Sequence, residues 1–130
     1  MRVTVELVGH VWASPWTLAG VLLAQLTGCR RRRAEGILLF DGERSRVWAW
    51  WSRRWGMAAI TIGVLTICVG EPSPALLGHE RRHQRQAMVL GPLYVPAYLV
   101  LCALGLLPGR HWYRDHPLER DARAHAGDAP

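Results

Sequence analysis

The chain has no lysine, no asparagine and a single phenylalanine among its 130 residues, and only three cysteines. All sixteen basic side chains are therefore arginine, for a formal net charge of +6. Exclusive use of arginine is read as GC-rich coding bias rather than a demand for guanidinium chemistry. The basic balance is then weak support for a nucleic-acid partner, since it would equally draw the chain to an anionic membrane surface. Cys29, Cys68 and Cys102 lie far apart with no CxxC pair. Their odd number excludes a disulfide framework and fits a reducing, cytoplasmic compartment, where they are expected as small buried apolar residues. One cysteine sits in "LTGC" (26–29), which reads like a lipoprotein cleavage box. The preceding segment is a poor signal peptide, carrying Glu6 and His10, and the four arginines at 30–33 would have to be exported against the positive-inside tendency. A helix ending at Gly28, followed by a solvated arginine cluster, is the expectation instead.

What is present is apolar residue and tryptophan. Half of the residues are hydrophobic, with seven Trp, enough for one domain over residues 1–130 with a modest core. "SPWTLAGVLLAQLTG" predicts a helix over about 14–28, capped by Ser14 with Pro15 in its first turn. It is apolar almost all round, so it is buried or touches membrane. "ILLF", "DG" and "RVWAWW" predict a β-hairpin with Asp41-Gly42 as its turn, placing Trp48 and Trp50 on one face and Trp51 on the other. "MAAITIGVLTICVG" predicts a third strand with Gly63 as a bulge or kink. The sheet is thus expected as three antiparallel strands within about 36–70, followed by helices over about 75–126.

The chemistry begins at "GHERRHQRQAM" (78–88). At helical spacing Leu76, His79, Glu80, His83, Ala87 and Leu90 share one face, and Arg81, Arg82 and Arg85 fall on the other. A solvated charge run would not sort its histidines with its leucines. Histidines four apart on one helical face can converge on a single zinc ion, and the Glu after the first can serve as general base. A third ligand is needed. "HWYRDHPLERDARAHA" supplies a second helix, with Pro117 in its first turn and Ala122 and Ala126 on one side. Glu119 near its start leads over His111 and His116. Alone, Glu119 reads as an acid favoured by the helix dipole and paired to Arg123 four residues on; after HExxH it reads as the ligand.

"HERRH" resembles the HExxH zinc metallopeptidases, and with a Glu on a following helix it is similar to the gluzincin arrangement. The longer stretch "GHERRHQRQAMVLGPLYVPAYL…YRDHPLERDA" also resembles small bacterial proteins with the pattern HERxHxRQ, then GP…PAY, then YRDNPFERxA. It covers about the last third of the chain. The resemblance implies zinc as cofactor, His79, His83 and Glu119 as its ligands, Glu80 as general base, and a strand before the helix that pairs with an extended peptide. The chain departs from the pattern at His116, where Asn is expected, and at Leu118, where Phe is expected. In such a reaction Tyr113 or His116 would offer the oxyanion a donor.

Two other readings compete. Residues 87–109 form an uncharged run long enough for a transmembrane helix, and residues 11–28 are a weaker candidate, so a small membrane-associated protein with two apolar helices and no catalytic activity is one alternative. A straight span of ~20 residues would hold His83 and Glu119 ~30 Å apart, too far to share a metal. Pro92, Pro96 and the turn signal at 107–109 favour a bent, buried helical pair, with peripheral membrane contact left open. The other alternative is nucleic-acid binding by Arg30, Arg31, Arg32, Arg33, Arg53 and Arg54 beside Trp48, Trp50, Trp51 and Trp55. No recognised motif accompanies these residues, and this reading ranks last. The expectation is an α+β, zincin-like metalloprotein that hydrolyses a peptide or protein substrate, or a non-catalytic metal-binding protein on the same site.

Overall fold

The computed structural model describes residues 1–34 and 37–126. The fold is α+β, with a long N-terminal helix, a four-stranded mixed sheet, and helices that return across the sheet. Helix α1 (Arg2–Leu26) begins twelve residues before Ser14, passes through Pro15, and carries no side-chain cap at its start. The apolar run before Ser14 continues the helix. Pro15 removes one N–H donor and its ring crowds the Val11 carbonyl, on a flank where both residues are exposed. One stripe of α1 is small: Gly9, Ala13, Gly20 and Ala24 are its buried residues. This stripe lets α1 lie close along the body, with Gly9 against Met88 and Gly20 against Ile62.

The expected three-stranded antiparallel sheet is replaced by four strands in the order β1-β2-β4-β3. The arginine run is itself strand β1 (Arg30–Ala34), antiparallel to β2 (Ile37–Asp41). Its alternation puts Arg32 between Asp41 and Glu71 while its neighbours face solvent. The predicted second hairpin strand is a helix, α2 (Arg46–Trp55). Asp41 Oδ1 accepts from the Glu43 N–H, turning the chain locally, and Ser45 then caps α2 by accepting from Trp48 N–H. Gly56 closes the helix at φ 64°. Trp48 and Trp51, which alternation would place on opposite faces, meet edge to face at 5.5 Å, the i,i+3 neighbours of a helix.

The predicted third strand is two strands, β3 (Ala59–Ile62) and β4 (Leu65–Cys68), joined by a tight turn at Gly63 and Val64 rather than bent by a bulge. Strand β4 pairs parallel with β2 and is buried at every residue, so among the described residues β3 lies at one edge of the sheet and β1 at the other. All three cysteines are free thiols: Cys29 and Cys68 are buried, and Cys102 is half-buried.

Helix α3 (Pro74–Leu90) starts at Ser73, whose hydroxyl accepts from Leu76 N–H, and lies across the sheet. A 3-10 turn (Gly91–Leu93) and helix α4 (Tyr94–Leu104) follow, and α5 (Pro117–Ala124) folds back on α3. The reversal is held from α1. Trp16 Nε1–H donates to the Pro92 carbonyl at 2.8 Å, and Trp12 lies so close that a Cβ at Gly91 would sit 2.2 Å from its Nε1. At the far end Gly78 admits the Ala126 carbonyl, which a Cβ would meet at 2.0 Å.

The β3–β4 turn supplies a direct test of how α1 is seated. Gly63 has φ +66°, and an added Cβ would lie 2.5 Å from both the backbone N and the Oγ1 of Thr17. Gly63→Ala is expected to cost about 1–3 kcal/mol through left-handed strain and displacement of α1. Thermal or denaturant unfolding of the variant measures it, and an unchanged midpoint would mean that α1 is not packed on this turn.

Candidate metal centre

Helix α3 carries two histidines one turn apart, and α5 brings Glu119 to them. His79 Nε2 and His83 Nε2 lie 3.1 Å apart, with the rings edge to face at 4.7 Å between centroids. Glu119 reaches both: Oε2 is 3.2 Å from His79 Nε2 and Oε1 is 3.3 Å from His83 Nε2. One donor atom from each residue can be chosen so that all lie within 4.8 Å of one another. A tetrahedral ion with bonds of ~2.0–2.2 Å needs its donors roughly 3.3–3.6 Å apart. The three side chains therefore form a group that can hold a metal ion. Glu119 Oε2 is buried with no well-formed hydrogen bond, 3.2 Å from His79 Nε2, and a cation would satisfy it.

The surrounding side chains orient the group. His83 Nδ1 faces Gln86 Oε1 at 2.9 Å. The Gln86 amide nitrogen donates to the Leu118 carbonyl and to Asp121 Oδ2, which fixes its oxygen as the acceptor toward His83. In neutral His83 the proton is then on Nδ1 and the Nε2 lone pair points into the site, the tautomer a metal requires. Arg82 holds Asp121 in turn through Nε at 2.7 Å and a second nitrogen at 3.1 Å. On the opposite side the Tyr98 hydroxyl makes a short hydrogen bond to Glu119 Oε1. Burial opposes ionisation of Glu119, but the two histidines and Tyr98 outweigh it and hold the carboxyl well below its usual range. Burial likewise disfavours charge on His83, and Glu119, Glu80 and Gln86 together more than offset it, raising the imidazole pKa.

Glu80 points from α3 toward the sheet and is 4 % exposed. Its Oε2 accepts from Thr61 Oγ1 at 2.7 Å; Thr61 and Thr66 hydroxyls meet at 2.6 Å, and Gln84 Nε2 donates to Thr66 at 3.2 Å. The hydroxyls can satisfy this chain in one direction only, from Gln84 through Thr66 and Thr61 to the carboxylate. Burial pushes the Glu80 pKa up, against the lowering influence of His83 and Thr61.

The remaining candidates separate cleanly. His116 is not in the group. Its Nδ1 accepts from Leu118 N–H as the cap of α5, and its Nε2 faces the Tyr98 carbonyl at 3.0 Å, so both ring nitrogens are committed to backbone. Burial lowers its pKa, in keeping with a neutral ring. Histidine thus makes the capping hydrogen bond that an asparagine side chain could make there. His111 Nδ1 accepts from the Tyr113 and Arg114 N–H groups on the exposed loop. Tyr113 lies on the wall of a cavity of about 800 Å³ that has His79, Glu80, His83 and Glu119 among its lining residues. Burial and the Glu119 charge push the Tyr113 hydroxyl up to about 12. The other walls are mostly apolar, from Trp16, Ala19 and Leu23 of α1, Ala59, Ile60 and Ile62 of β3, and Val95, Leu99 and Ala103 of α4.

Sequence reasoning missed Tyr98 and Gln86 as supports of the site. Both sit inside the quoted motifs, Tyr98 in "PAY" and Gln86 in "RQ", but only the folded arrangement shows what they hold.

No family model, no curated protein and no solved structure matches this chain.

Three substitutions test the supporting roles. Gln86→Leu removes the acceptor on His83 Nδ1 and should weaken metal affinity about 10–100-fold, read by competition with a chromophoric chelator. His116→Asn should leave that affinity unchanged and keep the α5 cap, whereas His116→Ala should cost about 1 kcal/mol of stability. Loss of metal in His116→Asn would make His116 a ligand.

Proposed function

We propose that this chain is a zinc-dependent peptidase of the HExxH-plus-Glu type, with His79, His83 and Glu119 as metal ligands and Glu80 as general base. The observation that carries the reading is the convergence of the three side chains at 3.1–3.3 Å on the wall of a cavity large enough for part of a peptide. Two nitrogens and a carboxylate are a donor set that suits zinc and leaves one tetrahedral position for water or substrate. Bound zinc would supply Lewis-acid polarisation of a peptide carbonyl and of a water molecule.

The chain's own residues would do the rest. Glu80 takes a proton from the attacking water and passes it to the departing amine. Thr61 holds Oε2 of that carboxyl, leaving Oε1 for the proton. Tyr113, kept protonated by its raised pKa, donates to the oxyanion. The free edge of β3 pairs with the extended substrate backbone, since residues 59–62 line the cavity and β3 has no partner strand on its outer side among the described residues. The hairpin thus shifts the peptide-pairing edge from the strand directly preceding α3 to the one before it. The apolar walls select apolar substrate side chains.

Glu119→Ala should lose more zinc affinity than the ~10–100-fold expected for a supporting residue. Glu80→Gln should keep zinc and lower hydrolysis about 10²–10⁴-fold. Zinc content by mass spectrometry and cleavage of an apolar peptide library check both. A wild-type protein that binds no zinc, or a Glu80→Gln protein that cleaves like wild type, refutes the assignment.

A further inference from the structure

Helix α1 has two faces of opposite design. The small stripe of Gly9, Ala13, Gly20 and Ala24 is buried against the body. On the other side Leu7, Val11, Leu18 and Leu22 line up at helical spacing and are 60–65 % exposed. Between Leu7 and Leu26 the helix contains no Asp, Glu or Arg. The 3-10 turn adds Leu93, helix α4 adds Leu99, Val100 and Leu104, and the loop after it adds Leu106 and Leu107, all of them exposed. Both helices line the cavity, and soluble monomers rarely expose large apolar patches. Leu23, Leu99 and Leu106 are widely exposed and also line the cavity above the metal group, so the cavity borders this same face.

The border of the face is aromatic and cationic. Trp55 and Trp112 meet edge to face at 6.2 Å on the cavity wall, and Arg54 stacks on Trp55 at 4.7 Å. Arg53 precedes it, exposed Arg110 and Arg114 flank Trp112, and the arginine strand β1 follows the C-terminal end of α1. Tryptophan and arginine beside an apolar surface are the composition of a membrane interface, with arginine directed to anionic headgroups.

We propose that the α1–α4 face seats on an anionic phospholipid bilayer, with α1 lying along the surface. Its length and composition would also allow a span. Docking decides against one, because α1 is fastened to the body from Gly9, beside Met88, to Gly20, beside Ile62. Arg85, exposed and one turn from Met88, would enter the hydrocarbon if α1 stood upright. A helix bound to a charged body along one side and apolar along the other lies in the interface.

Flotation of the purified protein with phosphatidylglycerol-containing and pure phosphatidylcholine vesicles tests this, with zinc content measured on the same sample. Flotation with the anionic vesicles is expected, weakened by salt and at least about tenfold weaker on phosphatidylcholine. Paired Leu18→Glu and Leu22→Glu substitutions should abolish it with helix content and zinc unchanged. Paired Arg53→Ser and Arg54→Ser should reduce it roughly fivefold per arginine. No flotation overturns the proposal, as does equal flotation on both vesicles, or a lipid-free dimer that buries this face. Retained zinc without flotation defeats this proposal alone, and flotation without zinc defeats only the peptidase reading.

Discussion

A carboxylate that is 3 % exposed must be compensated where it sits, and Glu119 sets that condition for the back half of the chain. Moving such an ion out of water costs several kcal/mol unless charge and hydrogen bonds meet it. His79, His83 and Tyr98 do so from α3 and α4, and each must be placed for it. Gly78 thins α3 so that the Ala126 carbonyl can approach it, and His116 caps the start of α5. Without the carboxylate, the two imidazoles would face each other at 3.1 Å with one proton to share. With it, they become a set of donors for a cation.

Placing Glu119 requires the uncharged stretch after α3 to double back, and α1 enforces that. Trp12 and Trp16 clamp the 3-10 turn at Gly91 and Pro92 from across the molecule, so the N-terminal helix fixes the path between the ligands. The same helix walls the cavity through Trp16, Ala19 and Leu23. One element thereby positions the metal group and bounds the space above it.

The site was more legible than the sheet. Histidines four apart and sorted away from arginine can be read from a single helix, because a helix fixes relative direction over one turn. Glu119 followed from chemistry, since two imidazoles need a third donor, and the turn signals allowed it to return. The sheet failed where local patterns compete. "RVWAWW" alternates like a strand, yet Ser45 and Gly56 bracket it as caps and its tryptophans also fit i,i+3 spacing. The parallel pairing of β2 with β4 depends on that helix intervening, so one misread element changed the whole topology. The length of α1 was hidden by Ser14-Pro15, a strong start signal overridden by apolar residues on both sides. Tyr98 and Gln86 lay in visible motifs, but support of a ligand is a three-dimensional relation with no spacing to reveal it.

The two glutamates of the site are buried alike and held in opposite senses. Glu119 is met by two histidines and a tyrosine, which keep it ionised. Glu80 receives a hydroxyl at the end of a chain running from Gln84 through Thr66 and Thr61, while burial biases it toward its proton. A ligand must stay charged as the reaction proceeds, whereas a base must be able to accept a proton and release it again. Two carboxyls of similar exposure but opposite bias can divide those roles. The division comes from what each faces: α5 meets the imidazoles, and the sheet side of α3 meets threonines. Strand β4, buried at every position, supplies Thr66 to that relay and pairs with the edge strand that carries Thr61. The hairpin that sequence patterning merged into one strand is therefore what gives the proposed base its orientation.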